Sequence, residues 1–420
     1  MPNEAHDPYA ALRLREYQLY ALGNVLGILG AQAQSVAVGW ELYERTHSKL
    51  ALGYVGLVQI LPVILLTFPA GHLADRLDRR IVLIASQIAT ALCSLGLAAL
   101  SVMHGPVIGT YALLFLAGCA MAVRNPSRAA LMPQIVPAEV FSNAVTWNST
   151  CMQVASVAGP AMGGVMLAVL HGAAPVFAAA ALTSLAFAAV VSMIRVRSIK
   201  RPTEPVTLRS VIAGAGFVYR TKIILAAITM DMFAVLLGGA TVLLPVYAKD
   251  ILKVGPGGLG WLQAAPSAGA FCMAIYLAHA RPMQRAGTTL LWAVSGFGAA
   301  TIVFGLSRSF LLSLGMLFLT GVFDNVSVVI RQTLVQLRTP DELRGRVAAV
   351  NGLFIGTSNQ LGGFESGLVA QYLTPQISVV AGGVGTIVVV LGVAAIWPQL
   401  RRLGRLHEAV VSDTGGAASP

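Results

Sequence analysis

Long apolar runs, each close to twenty residues and separated by short charged turns, fill this chain of 420 residues. Leu50 to Ala70 carries no charge, and neither does Ile81 to Val102. Between them stands Gly71-His-Leu-Ala-Asp75-Arg76-Leu-Asp78-Arg79-Arg80, with three arginines and two aspartates. A helix needs about 20 apolar residues to cross a bilayer, and charge in the hydrocarbon is costly. The turn therefore lies at a membrane surface, and the runs on either side of it cross. Charged residues make up only 11% of the chain and hydrophobic ones 56%, where soluble domains carry about 25% charge. These proportions exclude a soluble fold.

Twelve such blocks can be read, near 17–43, 51–71, 81–102, 107–127, 143–170, 174–194, 223–247, 257–279, 288–306, 310–330, 347–373 and 377–397. The expectation is an all-α membrane protein of twelve transmembrane helices. Lysine and arginine set its orientation. With both termini cytoplasmic, 23 of the 28 basic residues fall on the inner side, Arg124, Arg128 and Arg331 counted with the inner loops. Only Arg45, Lys49, Lys249, Lys253 and Arg308 fall outside. This places the chain in the plasma (inner) membrane. It also assigns the net charge of +11 to anionic lipid headgroups rather than to nucleic acid. The first sixteen residues are polar, and the block after them is too long for a signal sequence. Cys93, Cys119, Cys151 and Cys272 lie in or near apolar blocks without metal or disulfide spacing, and read as small buried side chains.

The longest polar interruption, residues 195–222, reads as a cytoplasmic linker between a bundle at 1–194 and another at 223–400. Within it, Thr207 to Tyr219 has the pattern of a short interfacial helix. The tail, 401–420, has the composition of a disordered segment. The two halves echo each other. Arg128, Leu131, Pro137, Glu139, Val145, Asn148 and Gly159 recur as Arg331, Leu334, Pro340, Glu342, Ala348, Asn351 and Gly362, at a constant offset of 203.

Ionisable groups inside a bilayer are expensive, and they are usually functional or paired. Asp231, Asp324 and Glu365 fall inside blocks and are the candidates for binding a proton or cation, since a desolvated carboxylate binds a proton more readily. The blander alternative for each is a structural pair with Arg331 or a place at headgroup level. Gln32, Gln59 and Asn148 are candidate cavity residues, because an amide in lipid needs a partner or water. Phe233 is a candidate apolar contact for substrate.

Several of these segments resemble motifs of the major facilitator superfamily. Gly71-x-Leu-Ala-Asp75-Arg76-x-x-Arg79-Arg80 resembles its loop between the second and third helices, with Asp78 where the family often has glycine. Gly159-Pro160-Ala-Met-Gly163-Gly164 is similar to the fifth-helix motif of its antiporters, with Ala155 in place of a further glycine. Pro340-Asp-Glu-Leu-Arg344-Gly-Arg346, Trp40-Glu41-Leu-Tyr43, Asp324 to Arg331 and Ser358 to Gly367 resemble the branch that holds the enterobactin exporter and the macrolide efflux proteins. The resemblance implies two six-helix bundles related by a pseudo-two-fold parallel repeat. It implies a conformational latch at Gly71, Asp75, Arg76, Arg79 and Arg80. It also implies an export role for the helix-packing motif at Gly159, Pro160, Gly163 and Gly164.

No His-Glu-x-x-His, Gly-x-Ser-x-Gly or P-loop motif occurs, which argues against a metalloprotease, a serine hydrolase or an ATP-driven pump. The expected function is proton-coupled efflux of a small amphiphilic compound (a siderophore, drug or metabolite) by alternating access. An importer or facilitator of the same fold is the alternative. The expected partners are that small molecule, protons and membrane lipid, with no cofactor or metal, and a monomer is expected.

Overall fold

The computed structural model describes residues 7–195, 208–281, 283–401 and 403–404, the side chains of 67–76, 208–211 and 341–342 excepted. Every regular element among them is helical. The first six long helices are α1 (Arg15–Thr46), α2 (Lys49–Arg76), α3 (Arg79–Val102), α4 (Val107–Ile135), α5 (Phe141–Val169) and α6 (Ala174–Ser192). The short α7 (Leu208–Arg220) follows, where the sequence suggests an interfacial helix. Next comes α8 (Lys222–Leu237), which continues through a 3-10 turn (Ala240–Leu243), the short α9 (Leu244–Val246) and a π turn (Tyr247–Ile251). The chain then forms α10 (Gly255–His279), α11 (Ala286–Leu306), α12 (Phe310–Arg338), α13 (Asp341–Tyr372), α14 (Pro375–Ile396) and α15 (Pro398–Arg401).

Eleven of these stretches, Lys222–Ile251 counted as one, are long and apolar enough to cross a membrane. At 32 residues α13 has the length, but it carries Arg344, Arg346 and Glu365 and stands outside the eleven. Several helices outrun the apolar blocks that announce them. The block near 107–127 belongs to a helix that runs on to Ile135.

Local chemistry sets the helix ends. Asp78 caps α3 by accepting a hydrogen bond from the Arg80 amide at 2.8 Å, and Thr374 caps α14 through the Ile377 amide at 3.1 Å. Each satisfies a donor that the first turn leaves unpaired. His47, His104 and His171 adopt φ of 49°, 51° and 53°, each just past the end of a helix. Glycine usually fills that left-handed position, so three of the histidines act as helix stops.

Contacts divide the chain into two units, Met1–Glu41 with Leu61–Pro205, and Leu42–Ile60 with Val206–Pro420. In the first, Tyr17 and Tyr20 of α1 pack with Leu83 of α3, Leu131 of α4, Ala144 of α5 and Phe187 of α6. The Tyr17 hydroxyl donates to the Ala144 carbonyl at 2.8 Å. In the second, Met230 of α8 meets Leu290 of α11, Ile330 of α12 and Val390 of α14. There α7 buries Val218 against Ile224, Ile228, Val335 and Val347.

Lipid tails are as apolar as leucine, so helices in a bilayer associate through close packing of small residues and through polar pairs. Gly159 shows why. A methyl group there would lie 2.6 Å from the Gln32 Cβ and 3.2 Å from the Leu29 carbonyl oxygen on α1. Its counterpart in the 203-residue offset does the same work: a methyl on Gly362 would lie 2.6 Å from the Leu236 oxygen on α8. The four cysteines are free, and Cys93 is buried. Cys272 departs from the expected burial and is exposed on α10, where a weakly polar thiol suits an apolar surrounding.

Candidate functional site

Three polar clusters stand out, each within one unit. The first lies among α8, α11 and α12 of the second unit. Asp231, 6% exposed, forms an ion pair with Arg331, 2% exposed. Asp324 sits one turn along α12 from Ser327, and both line a cavity of about 10 Å³ with Asp231, Val294, Phe297 and Phe323. That is the space of a single water molecule. Asp324 has no cationic partner among the described residues. The sequence left open whether Asp231 pairs with Arg331, and the structure brings them together. Protonating Asp231 would strand a buried guanidinium, whereas Asp324 can change charge without breaking an ion pair. Glu365 is half-buried on α13 and lines neither cavity described here.

The second cluster is a cavity of about 250 Å³ in the first unit, lined by Asn24, Gly27, Ile28, Ala31 and Gln32 of α1, Arg124 and Arg128 of α4, Met152 and Ser156 of α5, and Phe187 of α6. The two arginines were assigned to an inner loop in the sequence. They lie instead inside α4, with Arg124 eleven residues before the helix end, about 16 Å at helical rise. Gln32 thus lines a cavity as expected. Asn148 reaches the same cluster through a 3.4 Å hydrogen bond from the Asn24 amide. The expected cavity residues Gln59 and Phe233 line neither cavity; Gln59 is half-buried on α2, and Phe233 is 38% exposed on α8. Gly159, Pro160, Gly163 and Gly164 are all buried on α5. Gly163 packs on Ala33 as Gly159 packs on Gln32. The motif thereby holds α1, and the amide of Gln32, against the cavity.

The third cluster, in the second unit, was not foreseen. The Tyr43 hydroxyl donates to Asp250, and Lys249 pairs with Glu44 at 3.5 Å. Gln371 of α13 accepts from the Lys49 amide at 3.0 Å and caps the start of α2. The sequence shows Tyr43 only as part of a family motif and Lys249 only as one of the outer basic residues. Their partners lie some two hundred residues away, beyond the reach of a local pattern.

Of the expected latch, Gly71, Asp75 and Arg76 fall outside the described side chains. Arg79 donates to the Ala130 carbonyl of α4 at 3.2 Å. Arg80 donates to the Ser192 carbonyl at the end of α6, where cations favour the helix C-terminus. Both arginines therefore fasten helices of the first unit.

Comparison with known proteins places this architecture. The family described as transmembrane secretion effector matches residues 6–408. The chain is 25% identical to the enterobactin exporter EntS of Escherichia coli O157:H7 (strain EC4115 / EHEC), over 93% of this chain and 92% of that protein. It is 27% identical to the multidrug efflux pump Tap of Mycolicibacterium fortuitum, over 88% and 92%. Its fold is shared with a bacterial homologue of the iron transporter ferroportin (TM-score 0.71, 17% identity, 92% of this chain and 100% of that one). A bacterial homologue of the lysosomal transporter Spinster is also similar (TM-score 0.70, 14% identity, 95% and 98%). With all-helical architecture, eleven apolar spans and a match along nearly its whole length, the chain belongs to the transmembrane secretion effector family of the major facilitator superfamily, and it is a multi-pass membrane transporter, not an enzyme.

Proposed function

We propose that this protein is a proton-coupled exporter of small amphiphilic molecules, acting as a monomer of twelve transmembrane helices with both termini in the cytoplasm. The observation that carries the coupling is the Asp231–Arg331–Asp324 cluster buried in the second unit. Asp324 is the proton carrier in this reading. Asp231 and Arg331 hold the site in shape, and Glu365 is a secondary candidate. The direction of transport is supported by the printed activities of the relatives, an enterobactin exporter and a multidrug efflux pump. The orientation is supported by the division of the basic residues, 20 inside to 5 outside once Arg124, Arg128 and Arg331 are set apart as lying within α4 and α12. The twelfth span is α13. It is long enough to cross, and its charged first turn suits a membrane surface.

Alternating access requires a region that opens and recloses. The Tyr43–Asp250 and Glu44–Lys249 contacts are placed to part and re-form during that cycle, and the segment at Gly71 to Arg80 is the proposed latch of the opposite face. The test is proton movement in proteoliposomes loaded with a pH-sensitive dye, with ethidium as the transported compound. Wild type should couple the two fluxes, and Asp324→Asn should abolish proton movement. Asp231→Asn should lower both fluxes together. Coupled flux that survives Asp324→Asn would move the proton to Glu365, and substrate movement without proton movement in the wild type would remove the antiport reading.

A further inference from the structure

The offset that relates the two halves exposes an asymmetry in charge. Arg331 corresponds to Arg128, and Arg331 is neutralised by Asp231. In the first helices of each half the offset is 204, as Tyr43 with Tyr247, Gly56 with Gly260, Gln59 with Gln263 and Pro62 with Pro266 show, so Asp231 falls on Gly27, beside Ile28. Both line the 250 Å³ cavity beside Arg128, so the first half keeps the arginine and lacks its carboxylate. Arg124 adds a second positive charge one turn away. No aspartate or glutamate lines this cavity, and neither arginine has an ion pair among the described residues. Arg124 Nε and Asn24 Oδ1 are buried without hydrogen-bond partners.

Two like charges at i and i+4 repel, and both guanidinium groups are half-buried on the cavity wall, where an opposite charge acts more strongly than in open water. The energetic deficit is removed by an anion supplied from outside. Arginine presents a planar fork that pairs with an oxyanion through two hydrogen bonds. Gln32 and Ser156 add donors around it. Ile28, Ala31, Met152 and Phe187 supply an apolar wall on the same cavity. The volume matches a charged head and a ring rather than a whole drug-sized molecule, for which about 300–1,000 Å³ is usual.

We infer that this cavity binds the anionic head of an amphiphilic organic acid, with Arg124 and Arg128 as the anion-binding pair and uncharged Gly27 and Ile28 leaving the place of the carboxylate open. The inference deepens the transport reading by naming a substrate class, and it rests on that reading for its physiological meaning. The same oxyanion could come from a soluble acid or from a lipid headgroup.

Calorimetric titration of the full chain in phosphatidylcholine nanodiscs separates these sources. The probes are 1-naphthoate and its uncharged counterpart 1-naphthamide. Wild type should bind naphthoate at least ten-fold more tightly than naphthamide. Arg124→Gln should weaken naphthoate about ten-fold, the worth of a charge-assisted hydrogen bond, and leave naphthamide unchanged. Arg124→Lys should keep part of the affinity. Ile28→Asp should abolish naphthoate binding by installing a carboxylate on the cavity wall, with an unchanged gel-filtration profile to show that the fold survives. Adding phosphatidylglycerol should leave naphthoate affinity intact; competitive displacement by it would replace the organic acid with a lipid headgroup and overturn the inference as stated. Equal affinity for the two probes, or indifference to both Arg124→Gln and Ile28→Asp, would also overturn it. Proton flux driven by naphthoate itself reads the transport proposal separately. Its absence with naphthoate binding intact removes transport and leaves the anion site standing.

Discussion

Arg331 and Asp231 are each buried and each other's only described ionic partner, so their energies are tied. Removing one member of a buried pair typically costs about 3–5 kcal/mol, while replacing both by apolar residues of similar volume is often neutral. Arg331→Met should therefore lower the thermal unfolding midpoint sharply in detergent. The double variant Asp231→Leu with Arg331→Met should recover most of the loss. A double variant no more stable than Arg331→Met alone would show that the pair is not a closed unit. Asp231 was visible in the sequence as a charge inside an apolar block, and Arg331 as one just past the end of another. Their pairing stood only as an alternative shared with Asp324 and Glu365, because sequence does not choose among partners one hundred residues apart. Arg124 and Arg128 show the opposite failure. The fourth block, read as 107–127, takes in Arg124 and closes just before Arg128, and both were counted with a loop, although α4 runs on to Ile135.

Helices α1 and α5, and likewise α8 and α13, meet through glycines that leave no room for a side chain. Gly159→Val should force α1 from α5, because even a methyl at that position meets Gln32 and the Leu29 backbone. Gly362→Val should do the same between α13 and α8. Overpacking typically costs about 1–3 kcal/mol, and thermal denaturation should report a loss of that size for each. Gly352→Ala meets nothing within 4 Å and should be close to neutral. If all three glycine variants behave alike, helix contact is not what these glycines serve. The Gly159 to Gly164 motif was recognisable as a packing device from composition alone. That it seats Gln32 against a cavity was legible only once α1 lay against α5.

At the scale of the whole chain, the alternation of apolar runs and charged turns fixes the class of fold, because each run is too long and too bare to belong anywhere but in a bilayer. Orientation is the part that composition argues and side-chain geometry does not. A green fluorescent protein fused after Pro420 should be bright, and an alkaline phosphatase fused at the same point should be inactive. The reverse pattern would invert every loop. Amphipathic α7 was foreseen, whereas the clasp of Tyr43 on Asp250 was not. Tyrosine at a span end has a sufficient explanation as an interfacial anchor, and that explanation hides a specific partner.

The interruption after Leu237 has a mechanical consequence. Asp231 and Asp250 lie on one membrane segment, but the helical hydrogen-bond ladder does not run unbroken between them. It closes at the Gly238 amide on Ala234, then restarts through tighter turns from Gly238 and Gly239. One carboxylate grips Arg331 below the break, and the other holds Tyr43 above it. A continuous rod would transmit any tilt at the Tyr43 end straight to the charge pair. A jointed one lets the upper piece swing while the lower stays seated. In the proposed transport cycle this break would serve as a joint, so that parting the clasp need not disturb the buried ions.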